Sequence, residues 1–175
     1  MQKTFSSLLI SQKEGIVIGK LEDFLFNLET HQIKGWLIKR GGLFSSLGGI
    51  DSDAIVLCGR DVILIDTVES IEWDVKRVSH KKSSWASQYK GKKLIQRNGQ
   101  VFAEIQRLFI SEDAKSVVGL EIGDERVIKL NQYIVLRPDG GVLPRKYDIV
   151  SVASDDENLW TKIRGFFAGD DEDVR

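Results

Sequence analysis

One constraint on this chain outweighs the rest: its central motif is stated twice. Residues 15–39, GIVIGKLEDFLFNLETHQIKGWLIK, align without a gap with residues 99–123, GQVFAEIQRLFISEDAKSVVGLEIG, 84 positions later. Gly15 meets Gly99, Val17 meets Val101, Gly19 meets Ala103, Leu21 meets Ile105, Phe26 meets Ile110, Ile33 meets Val117, Gly35 meets Gly119 and Ile38 meets Ile122. A repeat of this length implies two copies of one small fold. The chain of 175 residues, 42% hydrophobic and 29% charged, is long enough for two such domains, each with a modest core.

Each copy makes the same backbone demands. Gly15 follows Lys13-Glu14 and Gly99 follows Arg97-Asn98, each between apolar runs, which predicts a tight hairpin at the start of each copy. The strand after the turn alternates, with Val17, Gly19 and Leu21 on one face against Lys20 and Glu22, and Val101, Ala103 and Ile105 against Glu104 and Gln106. That is the period of a half-buried strand. Gly35 and Gly119 within the next strand predict a bulge or tight corner. At Phe24 and Phe26, or Leu108 and Ile110, the polar face turns apolar, so the strand end must be covered. Polar turns over residues 27–32 and 111–116 lead on to the next strand.

The run G-x-V-x-G-x-L-x-D-x-x-F at residues 15–26, its counterpart at 99–110, and the I/V-x-G-x-x-I strand that follows each of them resemble the PRC-barrel family. The resemblance covers about residues 5–150 as two copies. It implies an all-β protein of two small antiparallel β-barrels in tandem, of an adaptor-like or assembly-related kind. The family has no shared catalytic residues to carry over.

On this reading residues 1–75 form the first barrel, 76–89 a basic linker, 90–153 the second barrel, 154–168 a C-terminal amphipathic helix and 169–175 an acidic tail. Aligning Val62, Ile63 and Leu64 with Ile134, Val135 and Leu136 leaves residues 40–53, RGGLFSSLGGIDSD, as an inserted loop peculiar to the first copy. Its Leu43, Phe44 and Leu47 either fold back on the barrel or form an apolar tip for a partner. The loop lacks the flanking strand, helix and Lys-Ser or Lys-Thr of a phosphate-binding loop. Ser154-Asp155-Asp156-Glu157 reads as a capping box, followed at helical spacing by Leu159, Ile163, Phe166 and Phe167 with Trp160 beside the stripe. That stripe needs a cover, intramolecular or from a partner.

With a net charge of −1 and a pI near 6.2, the chain is not marked as a whole for nucleic acid or membrane. Its main asymmetry is the segment 76–97, where Lys76, Arg77, Lys81, Lys82, Lys90, Lys92 and Lys93 occur without an acid and Trp85 and Tyr89 are available for stacking. Either lysines protect an edge strand there, or the segment takes RNA or another acidic partner. The single Cys58 lies in the apolar run Ile55-Val56-Leu57-Cys58 and reads as a small buried hydrophobe. The two histidines, His31 and His80, have no Cys or His at metal-ligand spacing. These observations predict a non-catalytic cytoplasmic protein with no catalytic or metal-binding residues, cofactor, small-molecule substrate or transmembrane segment. It would bind a protein partner or itself through the barrel loops or the C-terminal helix, or alternatively bind RNA or a ribosomal particle, as a ribosome-maturation factor would, through the basic segment.

Overall fold

The alternating runs and the turns between them become strands in the computed structural model, which describes residues 8–41, 46–58, 62–75, 81–111, 113–123 and 125–151. Eight strands make up the first sheet: β1 (Leu8–Ser11), β2 (Ile16–Asn27), β3 (Ile33–Lys39), β4 (Leu47–Asp51), β5 (Ile55–Cys58), β6 (Val62–Ile65), β7 (Ile71–Glu72) and β8 (Ser83–Trp85). Seven make up the second: β9 (Lys93–Ile95), β10 (Val101–Ile110), β11 (Val117–Ile122), β12 (Arg126–Lys129), β13 (Val135–Arg137), β14 (Gly140–Val142) and β15 (Ile149–Ser151). The protein is all-β over these residues, and the chain divides into two units, Met1–Gln88 with Ser111–Val117, and Tyr89–Ile110 with Val118–Arg175.

Strand for strand the sheets have one topology. The first runs β5-β6-β1-β2-β3-β4-β7 and the second β13-β14-β9-β10-β11-β12-β15. Both contain the same parallel step, β1 beside β6 and β9 beside β14, in otherwise antiparallel ladders. Both also carry a bulge at one position: the register slips past Ile18 in β2 and past Phe102 in β10. The hairpins predicted at Gly15 and Gly99 are present, with φ of +66° and +84°.

The register also corrects the sequence alignment. Gly48 and Arg126, Cys58 and Leu136, Ile63 and Gly141, and Ile71 and Ile149 occupy equivalent places, all 78 positions apart. The counterpart of β6 is therefore β14 rather than the stretch around Val135. Residues 40–53 are not an inserted loop, because Leu47–Asp51 is β4, held between β3 and β7 with Ile50 fully buried. The first copy is longer by six residues up to β4, all in the β3–β4 connection, and by one residue in the β1–β2 hairpin. Two adjacent glycines hid this strand: a Cβ on Gly48 would come within 2.9 Å of Ile71 and Trp73.

Two further corrections follow. The sheet orders end at β5 and β7, and at β13 and β15, with no ladder joining those ends among the described residues, so the sheets are open rather than closed barrels. Among the described residues β7, two residues long, pairs only with β4. Within the segment read as a linker, β8 pairs with β2 at Leu25, Phe26 and Asn27, on the edge beyond the reach of β1. The 3-10 turn Ala86–Tyr89 follows, and Tyr89 is fully buried. The predicted helix 154–168 and tail 169–175 lie outside the described residues.

Inward-facing residues of the first sheet include Leu9, Phe26, Trp36, Ile38, Ile50, Ile63 and Ile65, all fully buried, with the Phe24 and Trp36 rings 5.5 Å apart. In the second unit Leu94, Ile105, Leu120, Ile128 and Leu143 play this part. The first unit is completed by the segment Ser111–Val117: Gln32 bridges Ser116, Ile33 N–H donates to the Lys115 carbonyl (2.8 Å) and Val117 N–H to the His31 carbonyl (2.8 Å).

Candidate docking faces

Because side chains alternate along a strand, the burial of Leu9, Ser11, Ile63 and Ile65 turns their neighbours to the opposite face. There, Leu57 pairs with Leu64, Leu64 with Ile10 and Ile10 with Val17, an unbroken aliphatic row across β5, β6, β1 and β2. Ile10 and Leu64 are half-buried in the middle, while Leu57 and Val17 at the ends are 55% and 59% exposed. Leu8 and Val62 extend the row as a second aliphatic pair.

The second sheet repeats the row. Val135 pairs with Val142, Val142 with Ile95 and Ile95 with Val101. Again the middle members are half-buried, and the ends, Val135 and Val101, are 48% and 55% exposed. Antiparallel sheets with one solvated face carry polar residues there, and a contiguous exposed apolar patch marks an interaction surface. Eight aliphatic side chains in two equivalent rows are thus a feature that core packing does not explain.

The surroundings of the rows differ. In the second unit Glu104, Lys93, Gly140 and Arg137 form the adjacent row, with all three charged side chains exposed. On the other side lies a surface depression of about 480 Å³ lined by Gln96, Arg97, Asn98, Pro144, Arg145 and Tyr147. In the first unit the corresponding border holds Lys20, Leu8 and Val62. Glu14 there ties the β1–β2 turn to the start of the 3-10 turn Val68–Ser70. Its carboxylate accepts from the Ser11 hydroxyl, from Thr67 Oγ1 (2.8 Å) and from Val68 N–H (3.3 Å). These bonds, that of Ser11 foremost, hold its carboxyl below the usual range.

Of the residues singled out in the sequence, Leu47 opens β4 and is half exposed. Leu43, Phe44, Leu159, Trp160, Ile163, Phe166, Phe167, Lys76 and Arg77 lie outside the described residues. Lys81, Lys82 and Trp85 belong to the first unit, and Lys90, Lys92 and Lys93 to the second. Lys82 is engaged by Glu29 at 2.7 Å, and Trp85 is half-buried on β8 opposite Leu25. Tyr89 is not available for stacking, since its ring is buried and its hydroxyl donates to the Arg137 carbonyl (2.8 Å). Cys58 is half-buried, and burial pushes its thiol pKa up, away from the nucleophilic thiolate.

Sequence reasoning missed the rows. Strict alternation placed Val17 and Val101 inward with Gly19 and Ala103, and the bulges at Ile18 and Phe102 turn them outward. The run Ile16-Val17-Ile18, apolar at three successive positions, was the one legible sign that the alternation breaks. No helix among the described residues is long and apolar enough to cross a membrane. Neither the protein-family models nor the curated proteins contain a match to the chain.

Proposed function

We propose that this protein is a non-catalytic adaptor or assembly protein that docks an apolar segment of a protein partner on the outer aliphatic row of its first copy. One observation carries the reading: Leu57, Leu64, Ile10 and Val17 form an aliphatic row on the face opposite the core, and an equivalent row recurs in the second copy. The resemblance to PRC-barrels points to the same class. Replacing Val17 and Leu57 by Lys in the full chain puts charge on the row without touching the core. Surface substitutions of this kind shift stability by about 0.5 kcal/mol or less, so the melting temperature stays close to that of the parent. Co-purifying proteins, or self-association seen by analytical ultracentrifugation, are expected to be lost. Unchanged partners and unchanged oligomeric state in the folded double variant would overturn the reading.

A second reading, RNA or ribosomal-particle binding, is favoured by the charge of the second unit short of its C-terminal segment. Its residues 89–110 and 118–151 hold ten Lys and Arg against six Asp and Glu, a net charge of +4. Lys90, Lys92, Lys93 and Arg97 are the members of the basic segment that support it. Binding of this kind weakens steeply with salt. Reversing Lys81, Lys82, Lys92 and Lys93 to Glu abolishes it if that surface is used, and leaves the adaptor's partner in place.

A further inference from the structure

We propose that the second copy's row, Val135, Val142, Ile95 and Val101, is the docking site of this chain's own C-terminal segment, residues 154–173. The reading shares with the proposed function the premise that the rows are docking faces. Charge and size select the occupant. The segment 152–175 holds seven acidic and three basic residues, a net charge of −4, against +4 on the rest of its unit, whereas the first unit, residues 1–88 and 111–117, carries twelve basic and thirteen acidic residues.

The segment carries acids on both sides of an apolar stretch. Asp155, Asp156 and Glu157 come first, then the apolar Leu159, Trp160, Ile163, Phe166 and Phe167, then Asp170, Asp171, Glu172 and Asp173. On the sheet, the aliphatic row is flanked along one side by Lys93 and Arg137, with Glu104 opposite Lys93, and on the other by Arg97 and Arg145. Four strands spaced about 4.8 Å apart make a row about 14 Å long. A helix from residue 159 to 167 would present about 12 Å of apolar stripe, enough to cover it. The segment follows Ser151 in β15, the edge strand opposite β13 in the same sheet, so it is tethered to the sheet that carries the row and its local concentration there is high. One segment covers one row, which leaves the first copy's row for a partner.

The test uses the full chain in a Cys58→Ser background, with Ile163→Cys paired in turn with Val135→Cys, with Leu57→Cys on the first row and with Gln106→Cys, exposed on β10. Under mild oxidation the 163–135 pair is expected to form an intramolecular disulfide about tenfold faster than the 163–106 pair, as a docked rather than merely tethered segment would. Reversing Asp155, Asp156, Asp170 and Asp171 to Lys, or raising salt from about 0.1 to 1 M, should slow it several-fold, because the attraction is screened. Equal rates for the two pairs, faster reaction with Leu57→Cys, or disulfides that form only between molecules would each overturn the proposal. A nitroxide on Ile163→Cys of the otherwise unaltered chain gives an independent reading: amide signals of Ile95, Val101, Val135 and Val142 broaden if the segment docks there and stay sharp if it does not. Partner binding through Val17 and Leu57 is read separately, so failure here leaves that reading standing.

Discussion

At Gly19 a single hydrogen atom decides whether β2 can pass β3. A Cβ there would lie 2.3 Å from the Lys39 carbonyl oxygen, a backbone atom that cannot swing aside. The equivalent residue in the second copy is Ala103, which carries that Cβ. Gly19→Ala is therefore expected to cost about 1–3 kcal/mol through overpacking, whereas Ala103→Gly costs only about 0.5–1 kcal/mol of chain entropy; urea denaturation of the two variants measures both. Asp23 makes a different residue-scale case. Its carboxylate accepts from Phe24 N–H (2.8 Å) and Ser87 N–H (3.1 Å), yet burial outweighs these bonds and raises its pKa. An acid whose folded pKa is raised contributes stability that is full below its unfolded pKa and lost as pH rises through the folded one. Asp23→Asn keeps an acceptor oxygen and removes that titration. Thermal melts from pH 3 to 8 should show the variant gaining on the parent as pH rises, by an amount that levels off above the folded pKa.

At the scale of elements, what the sequence disclosed and what it hid have separable causes. The hairpins at Gly15 and Gly99 were legible because a turn needs positive φ and the neighbouring residues are polar. The bulges were not, because one extra residue reverses every later side chain while leaving composition unchanged. β4 was hidden because Gly48 and Gly49 look like loop, although Gly48 serves close packing against Ile71 and Trp73. The parallel steps of β1 with β6 and β9 with β14, on which the rows depend, join strands far apart in sequence and have no local signature. The register predicts how the first copy tolerates shortening. Replacing residues 40–46 by the three-residue connection of the second copy should leave a folded protein with little change in melting temperature. Removing residues 40–53 deletes β4 with Ile50 and should abolish cooperative unfolding, as circular dichroism melts would show.

For the whole molecule, the repeat fixes two sheets but not two independent fragments. A cut after Gln88 would separate the first copy from Ser111–Val117, which belongs to its unit although it comes from the second repeat. Two backbone hydrogen bonds would go, the pair that makes the Gln32–Ser116 bridge: that from Val117 N–H to the His31 carbonyl and that from Ile33 N–H to the Lys115 carbonyl. His31 (7% exposed) and the apolar side chains of Ala114 and Val117 (3% each) are buried in the intact protein. His31 already holds a φ of +58°, a conformation that a non-glycine residue keeps only when its surroundings enforce it. Each backbone hydrogen bond contributes about 0.5–1.5 kcal/mol net, and an acceptor left unsatisfied costs about 1–3 kcal/mol more where water cannot reach it. Against a typical domain stability of about 5–15 kcal/mol, such losses are large. A fragment of residues 1–88 is therefore expected to melt well below the full chain, and a synthetic peptide of residues 110–118 should raise its melting temperature in a saturable way. A peptide with residues 115–117 replaced by Pro, which lacks the donor amide of Val117, should not. Equal melting temperatures for fragment and full chain would mean that the first sheet is complete without the segment.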